Sequence, residues 1–230
     1  MLAGVGELDD VREFLRWWYG PGLDSPAGAL TADAAVPPDL AQWHSVAARA
    51  GVPVTFQDRP IALTRLSPEP GGMLPFWAEN QNGHHWAVDS RNRVFARESG
   101  SEDWLPTGED LRGFLLHCTI REAIIGAPEK FTVFVPESVL GDALESFEPL
   151  GFPALASEEP ETRLWAGAGA LARVTLPPVG YEHPSEQLWM ITVAVPRGAD
   201  IQGYEARFGV PSSGGVTGPA AGRPPEEPPF

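Results

Sequence analysis

Residues 73–97 read MLPFWAENQNGHHWAVDSRNRVFAR, and this stretch decides the fold class. Its three runs MLPFWAE, HHWAV and RVFAR carry the aromatic and β-branched residues that suit half-buried strands. Asn82-Gly83, between the first two runs, is a hairpin turn signal. Upstream, VTF at 54–56 and IALTRL at 61–66 have the same character, so the reading is an antiparallel sheet that starts near Val54.

Outside this stretch the apolar period lengthens to that of a helix. In ELDDVREFLRWW at 7–18, Leu8, Val11, Phe14, Leu15 and Trp18 form one stripe, and YGPG at 19–22 stops the helix. Residues 20–38 read as loop. Pro37 and Pro38 then open a second helix, PDLAQWHSVAARAG, which ends at Gly51. After the sheet comes a polar loop, SGSEDWLPTG at 99–108, followed by a helix over 109–124 with the stripe Leu111, Phe114, Leu115 and Cys118. Thr107 and Asp110 resemble a weakened capping box at its start.

From Pro128 a second unit begins. FTVFV reads as a strand, and PESVLGDALESF as a helix with Val139, Leu140, Ala143, Leu144 and Phe147 on one face. LWAG, ALARVTL and LWMITVAV read as three more strands, and a short helix near 200–208 closes the unit. Residues 211–230, PSSGGVTGPAAGRPPEEPPF, lack the apolar content to offset ordering entropy. The expected fold is therefore α+β: a mainly antiparallel sheet flanked by helices over 1–127, a second small α/β unit over 128–210 packed on the first, and a disordered Pro-rich tail over 211–230.

The formal net charge is −15, with 17 acidic against 10 basic residues in 1–128 and 14 against 6 in 129–230. Such a field repels nucleic acid and anionic membranes and attracts basic partners. Cys118 is the one cysteine, which excludes an intrachain disulfide and a thiolate metal cluster and fits a reducing compartment. The first residues lack the basic and apolar regions of a signal peptide, and no stretch has the ~20 apolar residues of a membrane span. A cytoplasmic location is expected.

Catalytic patterns are missing. No G-x-S-x-G elbow occurs, and Ser45 beside His44 is only a sequence neighbour. Cys118 sits on an apolar helix face, where a thiol is inert, with His117 about 100° away around the helix. Adjacent His84 and His85 point to opposite faces of a strand and cannot share one ion. Phosphate loops are absent, and Gly167 with Gly169 reads as a hairpin turn. Arg91, Arg93 and Arg97 alternate with Val94 and Phe95 as an exposed strand face. Neither catalytic residues nor metal or cofactor ligands are expected. Two acidic stretches, ESGSEDW at 98–104 and SEEPE at 157–161, are either solvated loops or docking surface for a basic partner, with Trp104 as an aromatic anchor.

Residues 73–89, MLPFWAENQNGHHWAVD, resemble the central motif of the SUKH superfamily: apolar, aromatic, any residue, Glu, Asn, Gln, then Trp-x-Val. VPPDLAQWH at 36–44 is similar to the family's proline-then-helix segment, and LRGFLLHCTIREAI at 111–124 to its closing helix. The resemblance spans residues 7–126 and is most specific at Phe76-Trp77-Ala78-Glu79-Asn80-Gln81. It implies an α+β fold and a binding role without catalysis, as in bacterial immunity proteins that neutralise toxins, often nucleases; other members are regulatory or scaffold modules. The extra 128–210 unit departs from a minimal SUKH domain.

The expected function is thus stoichiometric neutralisation of a basic protein toxin, with a non-toxin regulatory or scaffold module as the alternative. The expected partner-binding residues are Trp77, Glu79, Glu98, Glu102, Asp103 and Trp104. Phe76, Asn80, Gln81 and Trp86 are expected to serve the structure, with the amides of Asn80 and Gln81 satisfying backbone groups at a turn. No cofactor, nucleic acid or membrane partner is expected, and no oligomeric state follows from the sequence.

Overall fold

The computed structural model of the chain describes residues 10–20, 36–181 and 186–210. The tail expected over 211–230, the first turn expected at 7–9 and most of the expected 20–38 loop lie outside them.

The fold is α+β, built from two five-stranded sheets in which every pairing is antiparallel. The first sheet follows chain order: β1 (Arg59–Pro60), β2 (Leu74–Ala78), β3 (His84–Val88), β4 (Arg93–Glu98) and β5 (Leu105–Asp110). The second comprises β6 (Lys130–Pro136), β7 (Phe147–Pro149), β8 (Arg163–Gly167), β9 (Ala170–Thr175) and β10 (Leu188–Ala194), in the order β6-β10-β9-β8-β7. Three helices precede the second sheet: α1 (Val11–Tyr19), α2 (Pro38–Arg49) and α3 (Leu111–Gly126). Two shorter ones, α4 (Glu137–Ala143) and α5 (Gln202–Arg207), belong to the second half.

α3 is the centre of the molecule. It touches α1 and α2, β4 and β5 of the first sheet, and β9 and β10 of the second. One continuous core therefore joins Phe76, Trp77, Trp86 and Phe114 to Leu164, Ala166, Leu171 and Ala194. A second core, with Phe131, Phe147, Ile191 and Val193, fills the far face of the second sheet, where Leu140 of α4 and Tyr204 and Phe208 at α5 pack on it. The stripe expected on α3 is buried, but so are His117, Thr119, Arg121 and Glu122 on its other sides. A helix enclosed on all sides must bury polar residues with partners. Thr119, for example, accepts the indole N–H of Trp43 at 2.9 Å and donates to the Leu115 carbonyl at 2.6 Å.

Several local expectations are corrected. VTF and IALTRL are not strands: residues 54–58 run irregularly and 63–65 form a 3-10 turn. The backbone N–H groups of Phe56, Gln57 and Asp58 go to the Glu122 carboxylate and not to a ladder. Residues 105–110, expected as loop and helix start, form the edge strand β5. Pro106 faces Phe95, and an edge is where a strand tolerates proline. A register shift at Gly108 (φ 86°) re-aims the end of that strand. The cap of α3 is Asp110, which accepts the Gly113 N–H at 2.7 Å, while Thr107 bonds the Val94 carbonyl and the Glu109 N–H. The helix expected to reach Phe147 stops at Ala143, leaving Val139 43% exposed and placing Phe147 in β7.

Candidate functional site

The β2–β3 hairpin carries the Phe76–Gln81 motif. Between Pro75 and Trp77 the register shifts, so Phe76 and Trp77 together face Trp86. This bulge breaks the alternation expected of a strand. Both rings turn to the core, Phe76 at 5.5 Å and Trp77 at 6.5 Å from Phe114 between centroids. Trp77 is fully buried and also meets Trp43 at 5.2 Å, so it belongs to the core and to no partner surface. Trp86 is likewise fully buried.

At the turn, the Glu79 carboxylate accepts the N–H groups of Gln81 at 3.0 Å and Gly83 at 2.9 Å. It takes the role expected of the Asn80 and Gln81 amides. Asn80 and Gln81 are exposed, and the Asn80 carbonyl with the Asn82 side chain receives Arg59. Glu79 is thereby committed to its own turn.

Glu98, Glu102 and Asp103 are exposed together at the β4–β5 tip. Trp104 is half-buried and lies under the Arg97 guanidinium, 4.1 Å from the ring centroid. Arg97 in turn donates two hydrogen bonds of 2.9 Å to Glu69, which hold that carboxyl below its usual range. Next to Trp104 stands Leu105, 66% exposed. An exposed leucine, a braced tryptophan and three carboxylates thus share one rim.

Behind this rim, on the face of the first sheet that meets α3, lies a cleft of about 380 Å³. Ala96, Leu105 and Pro106 form one wall, and Ala154–Ala156 of the β7–β8 connection the other. Its polar groups are His84, Arg97, Glu98, Thr107 and Glu109, with Trp86 beside them. Glu109 is buried, its side chain 8% exposed, and its Oε1 pairs with His117 Nδ1 at 3.1 Å. The His117 ring stacks on Phe152 at 4.7 Å and 6°. Glu109 Oε2 and Trp86 Nε1 have no hydrogen-bond partner among the described residues.

A second set of charges fills the space between α3 and the chain on either side of it. Arg121 donates to Glu158 at 2.8 Å, Glu122 at 2.9 Å and Asp58 at 3.0 Å, and Arg173 donates to Glu158 at 3.0 Å. Burial raises Asp58 to about 6, against the pull of Arg121. Burial also works to raise Glu158, but Arg121 and Arg173 outweigh it and hold its carboxyl low. The SEEPE run is therefore divided: Glu158 is an interior ion-pair residue, while Glu159 and Glu161 face solvent.

Of the remaining sequence candidates, Cys118 is buried and its thiol is pushed up by that burial. Arg93 is held by Asp89 at 2.7 Å. Burial, then the nearby Arg97, lowers His85. Among the described residues no three His, Cys, Asp or Glu side chains are grouped to hold a metal, and no helix is long and apolar enough to cross a membrane. Sequence reasoning missed Leu105, Glu109 and Ala154–Ala156. The alternation Leu105, Thr107, Glu109 was a usable strand signal, hidden by Pro106 and Gly108.

Comparison of the chain with protein-family models, with curated proteins and with solved structures finds no match.

Proposed function

We propose that this chain is a non-catalytic, cytoplasmic binding protein of the immunity type, which neutralises a basic protein toxin, such as a nuclease, by stoichiometric surface contact. The observation that supports this most is the β4–β5 tip, where exposed Glu98, Glu102 and Asp103 surround Leu105 and the Arg97-braced Trp104. Covering a leucine side chain contributes ~1.5–3 kcal/mol, and a rigid tryptophan anchors at low entropic cost. The net charge of −15 speeds encounter with a cationic surface. The resemblance of residues 7–126 to SUKH proteins agrees with a binding role.

The test is co-expression with the product of each gene neighbouring this one. One of them should be toxic alone, tolerated with this chain, and recovered with it in a 1:1 complex. The paired change E102R and D103R should slow association and leave the salt dependence weaker. Absence of any protected or complexed product would refute the toxin reading, and capture of a non-toxic protein would favour a regulatory or scaffold role.

A further inference from the structure

We infer that the cleft between β3–β5 and Ala154–Ala156 is a binding site for an organic cation, an ammonium or guanidinium head on a short apolar stem. Its volume of about 380 Å³ lies within the ~300–1,000 Å³ common for small-molecule sites. Two carboxylates contribute to it: Glu98, exposed at the mouth, and Glu109, more than nine-tenths buried. Among the described residues that line the cleft, the cationic side chain is Arg97, which is committed to Glu69 and Trp104. The local charge therefore selects a cation over an anion.

The unmatched group inside supports the same choice. Glu109 uses Oε1 for His117 and leaves Oε2, a strong acceptor, without a donor among the described residues. A buried acceptor without a donor is costly, and a charged N–H donor is its best complement. Oε2 is enclosed, so an occupant must draw Glu109 toward itself by side-chain rotation. Exposed Leu105 and Pro106 cover its stem, with the half-buried imidazole of His84 beside them.

This site rests on the cleft alone and not on the identity of a protein partner. Two probes separate the sources of such a head group: agmatine for a free small amine, and N-acetyl-arginine-N-methylamide for a side chain presented by a docked protein. Calorimetric titration of the full chain should give saturable 1:1 binding, with the tighter probe indicating the source. Glu109→Gln should weaken that binding about tenfold or more, the loss of one charge-assisted hydrogen bond. Ala156→Phe, which fills the cleft from its exposed wall, should abolish it with an unchanged melting temperature. Should Glu109→Gln unfold, Ala156→Phe decides by itself. No saturable binding of either probe, or full binding retained in a folded variant, would overturn the site.

Discussion

Two groups of charged side chains occupy the interior around α3, and they differ in the number of counter-charges and in the space beside them. Around Arg121, three carboxylates and two guanidiniums interlock, and Glu122 also collects three backbone N–H groups from the 56–58 segment. At the other group, Glu109 and His117 form a single pair beside a cleft, with one carboxylate oxygen left over. The first arrangement ties the 52–58 loop, α3, the 157–158 segment and β9 into one body. The second leaves space and an unmet acceptor next to the most exposed part of the first sheet. Each group leaves buried atoms unmatched among the described residues, Asp58 Oδ1 and Arg173 Nε in the first and Glu109 Oε2 in the second, but the second lies beside a cleft, where a ligand can contribute binding energy.

The comparison is tested most strongly at Arg121. Arg121→Ala leaves Asp58, Glu122 and Glu158 crowded without their shared cation and should cost ~3–5 kcal/mol, read from urea unfolding. A loss under ~1 kcal/mol would show that the network is not a structural clamp.

The next effect concerns pH. Burial raises the Asp58 carboxyl from 3.8 to about 6, so between those values the unfolded chain ionises first. Its contribution to stability is present below pH 4 and lost as pH rises through 6. Asp58→Asn removes that dependence. Relative to the native chain, the variant should gain ~2–3 kcal/mol between pH 4 and pH 7, because a tenfold change in proton affinity on folding is worth ~1.4 kcal/mol. Unfolding curves at the two pH values measure this, and parallel pH profiles would contradict it.

Smaller effects are expected at the rim and the cleft. Trp104→Ala should weaken a complex with the proposed basic partner about tenfold, ~1.4 kcal/mol, measured by surface binding. The isolated chain should lose about 1 kcal/mol, the half-buried ring's contact with Arg97. Ala156→Phe should leave stability within ~0.5 kcal/mol, since Ala156 is an exposed wall of the cleft. A large loss there would mean that the cleft wall is packed core.

Much of the architecture was legible along the chain. The strands β2, β3 and β4, the turn at Asn82-Gly83, and the strands β8, β9 and β10 follow from short-range patterns. In β9 the alternation is clean, with Leu171 toward the α3 core and Ala172 and Val174 toward the second core. The same rule failed for Trp77, because a bulge at Pro75–Trp77 turns two neighbours to one side. It failed for β5 because proline and glycine are poor strand formers, except on an edge next to a bulge. Of the expected partner surface, the exposed acids of the tip stand where a partner can reach them, whereas Trp77 and Glu79 are spent on the core and the turn.

What the chain determined by itself is therefore local: helix and strand periods, turn chemistry, the acidic balance and the lone cysteine. Each depends on residues a few positions apart or on composition alone. What the tertiary structure decided are the pairings of distant groups. Asp58 meets Arg121 across 63 positions, and Arg121 meets Glu158 across 37. Whether a carboxylate ends as a buried ion pair, a turn cap, a cleft wall or an exposed rim depends on which distant element covers it. No short-range pattern carries that, because burial and counter-charge are set by how the two sheets close on α3.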